Sequence, residues 1–450
     1  MAEHAFDRRP HRTLLVLSVP ALVSLIAEPL TGLVDTAFVN RLGSESLAAL
    51  GVGTTLLSAS FWIFNFLGIG VQSEVAHHFG KGGQQRARDL NGLALALGFG
   101  FGILMLVLGW PLAAELAQMM GAEGQTQRDA QQYLQIRLLA APAVLMMGSC
   151  FGSLRGLQKM RTPMVIALLV NLLNIGLDAL LIFGLGPIPG FGIAGAAWAS
   201  TIAQWVGAAM ALWAVGSALG WRPKLRLADV GVLMRIGGDM FLRTSFLTGF
   251  LVLGTRAATK IGPEAGAAHH VIRQVYLFSA LALDALAITA ISLIGWYVGK
   301  GLIPGARRVA AYSSAWSLLL GFMLLAAMLL GQDAVIAAFV PADAVDVFLG
   351  AWLWSALLQP LNGLCFATDG IHWGTRDFAY LRNAMFLACA LSIPLLFIVD
   401  IHHPDALMHI WWITGLWVLL RAAGGWLRVW PGIGNAPLGN RALRNQSSSR

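Results

Sequence analysis

Near the start of the chain, a single carboxylate lies late in a long apolar run. The stretch LTGLVDTAFVNRLG, residues 30–43, contains Asp35, and the run begins at Leu14. A charged residue at membrane depth costs about 2.5–3.5 kcal/mol on insertion scales, and a low-dielectric surrounding favours the protonated form of a carboxyl group. An acid kept there is predicted to bind and release a cation, in the simplest case a proton. A satisfied structural acid is the alternative.

A second acid follows in a later apolar segment, on a polar stripe. Asn171, Asn174 and Asp178 are spaced i, i+3 and i+7, which places them on one face of a helix. Asp35 and Asp178 are both predicted to lie in the outer half of their helices, so we expect them to meet in one pocket open to the outside. Two carboxyl groups in one pocket titrate as a unit.

The first apolar segment also carries two prolines. Pro20 and Pro29 each remove a backbone hydrogen bond, which makes the helix easier to bend. We therefore expect these prolines to form a hinge, with protonation of Asp35 favouring a bent helix that collapses the pocket. Glu28 precedes Asp35 by two turns, about 10 Å along the axis, and either extends the same network or pairs with a buried donor.

Several other charged or polar residues fall within apolar segments. Tyr133 and Arg137 either support the first acidic site or anchor the membrane interface. Opposite charges in the second half of the chain are candidates for mutual ion pairs, and its two acids are also candidates for a substrate pocket. These residues are Arg243, Arg273, Asp284 and Asp369.

The composition is that of a membrane protein. Of the 450 residues, 57% are hydrophobic and 12% charged, and the mean hydropathy is +0.70. The sequence therefore predicts an all-α polytopic fold with twelve transmembrane helices. The predicted helices span residues 14–38, 47–75, 90–113, 130–154, 164–184, 192–216, 230–258, 267–298, 309–330, 347–370, 383–399 and 408–427.

The basic residues are distributed unequally between the two sides of these helices. With the N-terminus placed in the cytoplasm, most Lys and Arg residues of the connecting segments lie inside. This bias predicts that both termini are cytoplasmic. It explains the net charge of +8 without nucleic acid as a partner. The basic residues left on the outer side are Arg41, Arg128, Arg256 and Lys260.

The two halves of the sequence are related by an internal repeat. A shift of 219 residues aligns Gly43 and Glu45 with Gly262 and Glu264, and it aligns the two GKG motifs that begin at residues 80 and 299. Six helices per half give two parallel, pseudo-symmetric lobes, an arrangement typical of alternating-access transporters. The predicted segments are a cytoplasmic tail (1–13), an N-lobe (14–216), a cytoplasmic linker (217–229), a C-lobe (230–430) and a second cytoplasmic tail (431–450).

Four stretches together resemble one known family. Residues 20–53 (PALVSLIAEPLTGLVDTAFVNRLGSESLAALGVG) and 154–186 (LRGLQKMRTPMVIALLVNLLNIGLDALLIFGLG) resemble signatures of the multidrug and toxic compound extrusion (MATE) family. GIAGAAWAS, residues 192–200, fits the start of its sixth helix. FATDGIHWGTRDFAYLRNAM, residues 366–385, is similar to its DinF-like branch.

The resemblance implies a V-shaped exporter with two six-helix lobes, the architecture called MATE-like or MOP-like. Such exporters exchange protons, or in some members sodium, for amphipathic and often cationic compounds. In the DinF-like branch the coupling cation is carried by residues that correspond to Asp35, Asn174 and Asp178. Pro20 matches the bending proline, and Tyr133 and Ser200 match pocket residues. Other branches have an acid in the seventh helix, where this chain has only Asp239 near the cytoplasmic start.

We therefore expect a secondary active multidrug antiporter in a bacterial inner membrane. Its partners are small organic substrates and the lipid bilayer, it acts as a monomer, and it needs no cofactor or resident metal beyond the coupling proton or sodium. A flippase for lipid-linked intermediates is the alternative. The sequence contains no HExxH, nucleophile-elbow or Walker motif, so an enzyme or an ATP-driven pump is disfavoured.

Overall fold

A computed structural model describes residues 4–185 and 188–439. Helices make up nearly all of this part of the chain, and two short strands, β1 (Gly184–Leu185) and β2 (Ile188–Pro189), pair antiparallel between two of them. The helices are α1 (Ala5–Arg8), α2 (Pro10–Val39), α3 (Ser44–Ile63), α4 (Phe66–Gly80), α5 (Gln84–Met119), α6 (Gly124–Leu138), α7 (Ala141–Gly156), α8 (Arg161–Phe183), α9 (Ile193–Leu219), α10 (Leu227–Ile261), α11 (Pro263–Gly299), α12 (Ile303–Leu330), α13 (Gln332–Phe339), α14 (Val345–Leu357), α15 (Gln359–Gly374), α16 (Phe378–Phe397) and α17 (Ala406–Val429), with 3₁₀ turns at Asn40–Leu42 and Ala342–Ala344.

Most of these helices are long and apolar enough to cross a membrane. By length and composition, the described residues contain ten such spans, and two bent helix pairs raise the number to as many as twelve. The second span, Ser44–Gly80, combines α3 and α4. Large apolar side chains such as Leu172 (66% exposed), Trp213 (68%) and Leu330 (89%) lie on outer surfaces, as lipid-facing residues do. The predicted all-α membrane fold is confirmed.

The two bent pairs share one cause. The bend between α6 and α7 is 49°, and the bend between the segments Ala342–Leu357 and Gln359–Gly374 is 43°. Pro142 and Pro360 are each the second residue of the helix that follows the bend. A proline there has no N–H to donate to the preceding turn, so the helix before it cannot run straight through.

The internal repeat reappears as one type of close helix crossing in both halves. A Cβ atom at Gly152 of α7 would lie 2.2 Å from the carbonyl oxygen of Gly68 in α4. At Gly370 of α15, it would lie 2.6 Å from the carbonyl oxygen of Ala287 in α11. The two crossings are related by the repeat, with shifts of 218 and 219 residues. Glycine is needed at both because the backbones touch.

A second pair of crossings follows the same rule. A Cβ atom at Gly102 of α5 would lie 2.3 Å from the Cα atom of Pro142, and one at Gly321 of α12 would lie 2.7 Å from the Cα atom of Pro360. Each bent span is therefore contacted at its proline by a glycine of the preceding long helix. The two halves share a packing scheme.

The chain divides into two compact units. The first is Val19–Gly237, and the second combines Met1–Ser18 with Gly238–Arg450. In the first unit, buried apolar residues of α3, α6 and α9 form one core around Tyr133. In the second unit the core surrounds Trp352 and Trp417. There the first turns of the chain also pack, with Phe6 fully buried and the Tyr297 hydroxyl donating to Asp7 Oδ1 at 2.7 Å.

The close crossings give the first prediction. Gly152→Ala and Gly370→Ala each place a methyl group against a backbone carbonyl, and overpacking of this kind costs about 1–3 kcal/mol. Both variants should therefore lower the thermal unfolding midpoint of the purified protein by several degrees. Gly100→Ala is the control, because a Cβ atom at Gly100 of α5 meets nothing within 4 Å. Equal midpoints for all three variants and the wild type would contradict the repeated crossing.

Candidate functional site

Four helices of the first unit bring the predicted N-lobe residues together. Asp35 lies on α2, Tyr133 on α6, Asn174 and Asp178 on α8, and Ser200 on α9. All five are buried, with 8% of Asp35, 2% of Asn174 and none of Asp178 exposed. Spacing i, i+4 puts Asn174 and Asp178 one above the other on the face of α8 that turns inward. The site is therefore a polar cluster among apolar helices.

The central contact joins the two acids. The carboxyl groups of Asp35 and Asp178 lie within hydrogen-bonding reach of each other. A carboxylate has no proton to donate, so two carboxyl groups form a hydrogen bond only when one of them is protonated. Asp178 Oδ1 is buried and has no hydrogen-bond partner among the described residues. The geometry therefore suits a pair that holds one proton between two acids.

Asn174 links this pair to α9. With its amide oriented so that both ends are satisfied, its nitrogen donates to Asp35 Oδ1 at 3.1 Å. Its oxygen then accepts from the Ser200 hydroxyl and from the Ser200 backbone N–H, each at 3.2 Å. In the opposite orientation the nitrogen donates to Ser200 Oγ at 3.2 Å, and the amide oxygen faces Asp35. A serine hydroxyl both donates and accepts, so it accommodates either orientation.

The two orientations match two states of Asp35. An amide nitrogen turned towards Asp35 stabilises an ionised carboxylate. An amide oxygen turned towards it accepts from a protonated carboxyl group or coordinates a hard cation such as sodium. The Ser200 hydroxyl can therefore pair with Asn174 in both orientations, whereas the contact with the Ser200 backbone N–H exists only when the amide nitrogen faces Asp35.

Tyr133 and Arg137 complete the charged side of the cluster. The Tyr133 side chain, 1% exposed, interacts with the Arg137 side chain, and Arg137 also interacts electrostatically with both acids. Gly53 of α3 makes room for the tyrosine, because a Cβ atom there would lie 2.4 Å from Tyr133 Cδ1. Nothing in the sequence marks Gly53 for this role.

The charges of the cluster depend on a single proton. With one proton shared by Asp35 and Asp178, the acids carry one negative charge, and Arg137 balances it. When that proton leaves, the cluster carries a net negative charge in a poorly solvated place. Such a charge attracts a cation, whether a proton, a sodium ion or a cationic organic compound.

The other residues predicted for this site have different positions. Asn171 donates to the backbone oxygen of Ala27 at 2.6 Å, so it ties α8 to the backbone of α2 rather than to Asp35. Pro20 and Pro29 both lie inside α2, which is assigned as one helix from Pro10 to Val39. The side chain of Glu28 lies outside what the structure describes.

The second unit has a different buried charge cluster. Asp369 of α15 pairs with Arg243 of α10 and, at 3.2 Å, with Arg421 of α17. All three residues are less than 10% exposed. Asp284 interacts electrostatically with Arg243, whereas Arg273 donates to the Thr255 hydroxyl at 2.8 Å.

The sequence predicted that Asp369 forms an ion pair with an arginine, but it did not identify Arg421 as one of the two partners. The signal was present, because a lone arginine in the apolar helix α17 requires a buried acid opposite it. An acid held between two guanidinium groups is already neutralised. It is therefore a weaker candidate for a cation site than the acid pair of the first unit.

Comparisons with known proteins agree with this architecture. The MatE family model matches residues 20–180. DNA damage-inducible protein F of Escherichia coli is 28% identical over 86% of this chain and 85% of its own length. The probable multidrug resistance protein NorM of Deinococcus radiodurans is 29% identical over 81% of this chain and 83% of its own length.

Solved structures support the fold. The crystal structure of MATE in the bent conformation superimposes with a TM-score of 0.85 at 19% identity, covering 98% of this chain and 97% of that one. The family resemblance found in the sequence is thereby confirmed, and the members of this family are secondary transporters rather than enzymes. The chain therefore contains a MatE family region over residues 20–180 and is similar along most of its length to proteins of the multidrug and toxic compound extrusion family.

Proposed function

We propose that the protein is a proton-coupled antiporter that exports amphipathic, cationic organic compounds by alternating access. The observation that carries this proposal is the contact between the carboxyl groups of Asp35 and Asp178, buried between α2 and α8. This pair binds one positive charge at a time. A site that is filled either by a proton or by an organic cation gives exchange, because the two compete for the same negative charge.

The driving force is the electrochemical gradient of the coupling ion. A charge that crosses the membrane gains about 2.3 kcal/mol for every 100 mV of potential, but exchange of one proton for one singly charged compound moves no net charge, so the concentration gradient of the coupling ion drives this export. Proton entry from the outside neutralises the acid pair and lowers its affinity for the organic cation, which is then released. Sodium is the alternative coupling ion, because Asp35, Asn174, Asp178 and Ser200 all offer oxygen ligands.

The site and the relatives support a proposed substrate class, and the charge bias of the sequence supports a proposed orientation. A buried acid pair favours a cation, and the similarity to the probable multidrug resistance protein NorM supports a broad range of substrates. We place the protein in a bacterial inner membrane with both termini in the cytoplasm, working as a monomer. A flippase for lipid-linked intermediates would need basic groups around the phosphates of its substrate, and no observation at the acid pair favours it.

The coupling role of Asp35 is directly testable. Asp35→Asn removes the ionisable group but keeps its size and its hydrogen-bonding capacity, so the protein should insert and unfold like the wild type. We expect the rate of export of a fluorescent cationic dye, driven by an imposed pH gradient in reconstituted vesicles, to fall at least tenfold. Repeating the measurement with a sodium gradient alone distinguishes the two coupling ions.

Asp129→Asn is the matched control for this experiment. Asp129 is an acid of α6 that accepts from Ser46 at 3.1 Å and from Gln125 at 2.7 Å, and neither partner belongs to the cluster around the acid pair. This variant should export at the wild-type rate. If Asp35→Asn also exports normally on a pH gradient, then Asp35 is a structural acid and the proposed coupling is wrong.

The role of Tyr133 can be separated from its packing. Tyr133→Phe keeps the buried ring and removes only the hydroxyl group, which interacts with Arg137 beside the acid pair. We expect dye export to fall about tenfold with little change in the unfolding midpoint. Gly53→Ala displaces the ring and should lower both export and the midpoint. Wild-type export by Tyr133→Phe would mean that Tyr133 serves only the core.

A further inference from the structure

A cavity of about 460 Å³ lies in the second unit, between the C-terminal turns of α10 and the first turns of α11. Three cationic side chains and two hydroxyl groups line it together with Val252. The polar lining residues are Thr255, Arg256, Thr259, Lys260 and Arg273. Within the described ranges, no carboxylate lines this cavity. It therefore concentrates positive charge.

Ordinary structural roles account for only part of this charge. Lys260 lies in the last turn of α10, where the helix dipole favours a cation. That effect falls off within a turn, so it does not explain Arg256. Arg273 lies on α11 and donates to the Thr255 hydroxyl at 2.8 Å, a neutral partner that does not compensate its charge. Like charges around one cavity repel one another unless an anion enters.

An apolar cleft adjoins the basic cavity. This cleft of about 270 Å³ shares Arg256 and Lys260 with the cavity and extends to the end of α16. Its apolar lining consists of Leu253, Ala257, Leu396, Phe397, Val399 and Ile401. A ligand that reaches both spaces must carry an anionic head and an apolar tail.

The position of both spaces along the helices agrees with a lipid. They lie where α10 and α16 end, and the charge bias of the sequence assigns both ends to the outer surface of the membrane. At that depth, phospholipids present a phosphate at the level of the helix ends and acyl chains beneath it. Arginine and lysine bind phosphate oxygens, and threonine hydroxyls donate to them.

We propose that this cavity and cleft form a binding site for an anionic phospholipid. The headgroup phosphate binds Arg256, Lys260 and Arg273, and an acyl chain packs against the cleft. The ligand is a bound lipid, distinct from the cations that we assign to the acid pair. The site is therefore independent of the proposed transport function, and its test measures binding rather than export.

The test compares lipids on the purified full-length protein in a neutral detergent. Phosphatidylglycerol should raise the thermal unfolding midpoint of the wild type by several degrees, and phosphatidylcholine should have little effect. The double variant Arg256→Gln/Lys260→Gln should lose most of that shift. Native mass spectrometry should show fewer retained phosphatidylglycerol molecules on the double variant. Inorganic phosphate is added separately, to distinguish a lipid headgroup from a free anion.

Two further variants control for charge. Arg41 is the counterpart of Lys260 under the 219-residue repeat and is also exposed, but it does not line the cavity. Arg41→Gln should therefore keep the phosphatidylglycerol shift, and Arg256→Lys/Lys260→Arg should keep most of it.

Four outcomes would overturn the proposal. The first is that phosphatidylcholine raises the unfolding midpoint as much as phosphatidylglycerol does. The second is that the phosphatidylglycerol shift survives in Arg256→Gln/Lys260→Gln. The third is that Arg41→Gln loses this shift as fully as Arg256→Gln/Lys260→Gln does. The fourth is that inorganic phosphate alone reproduces it, which would make this a site for a free anion.

Discussion

The site depends on two carboxyl groups that face each other away from water. Asp35 and Asp178 cannot both be ionised at little cost, because like charges in a low-dielectric place repel strongly. The pair therefore requires a proton, a bound cation or a nearby positive group. Arg137 supplies one positive charge, which balances the pair only while a single proton is present. The neighbouring groups Asn174, Ser200 and Tyr133 hold the pair at this balance.

The two halves show how a repeated framework carries different chemistry. The crossings at Gly152 and Gly370 are equivalent, so both halves need small residues where helices touch. Their buried charges differ. In the first unit two acids share one arginine, whereas in the second two arginines hold one acid, Asp369. Contacts between backbones limit where the helices lie in both halves. A buried polar side chain is constrained only by its own neighbours. The buried charges of the two halves can therefore differ while the helix packing stays the same.

Much of the fold followed from the sequence because membrane helices are constrained locally. Each must satisfy its own backbone and present about 20 apolar residues to lipid, so the hydropathy pattern predicted the spans. The bends at Pro142 and Pro360 were not predicted, although the residues were visible. A proline close to a helix start either begins a new helix or stays in an irregular turn. Each of these prolines packs against a glycine of another helix, α5 or α12. Such a contact between distant segments cannot be read from the sequence around the proline.

The part of the site that consists of buried acids was predictable, because an acid in an apolar helix has few possible roles. A lone acid such as Asp35 or Asp178 in an apolar helix requires a partner. The polar stripe on α8 indicated which face of that helix turns towards the partner. Gly53 could not be found this way. Its role is to leave room for the ring of Tyr133, and an absent side chain leaves no trace in the composition of its own helix.

The orientation of Asn174 connects this local chemistry to transport. A buried amide cannot face a carboxylate with its oxygen without leaving a polar atom unpaired, whereas either end of the amide can pair with a protonated acid. Protonation of Asp35 therefore permits rotation of the amide, and the Ser200 hydroxyl then accepts from the amide nitrogen instead of donating to the amide oxygen. The contact between α8 and α9 is thus kept in both states. In the proposed antiport mechanism, the free energy of cation binding is then available to α2, the helix that carries Asp35 together with Pro20 and Pro29. That helix is the element of this site best able to bend.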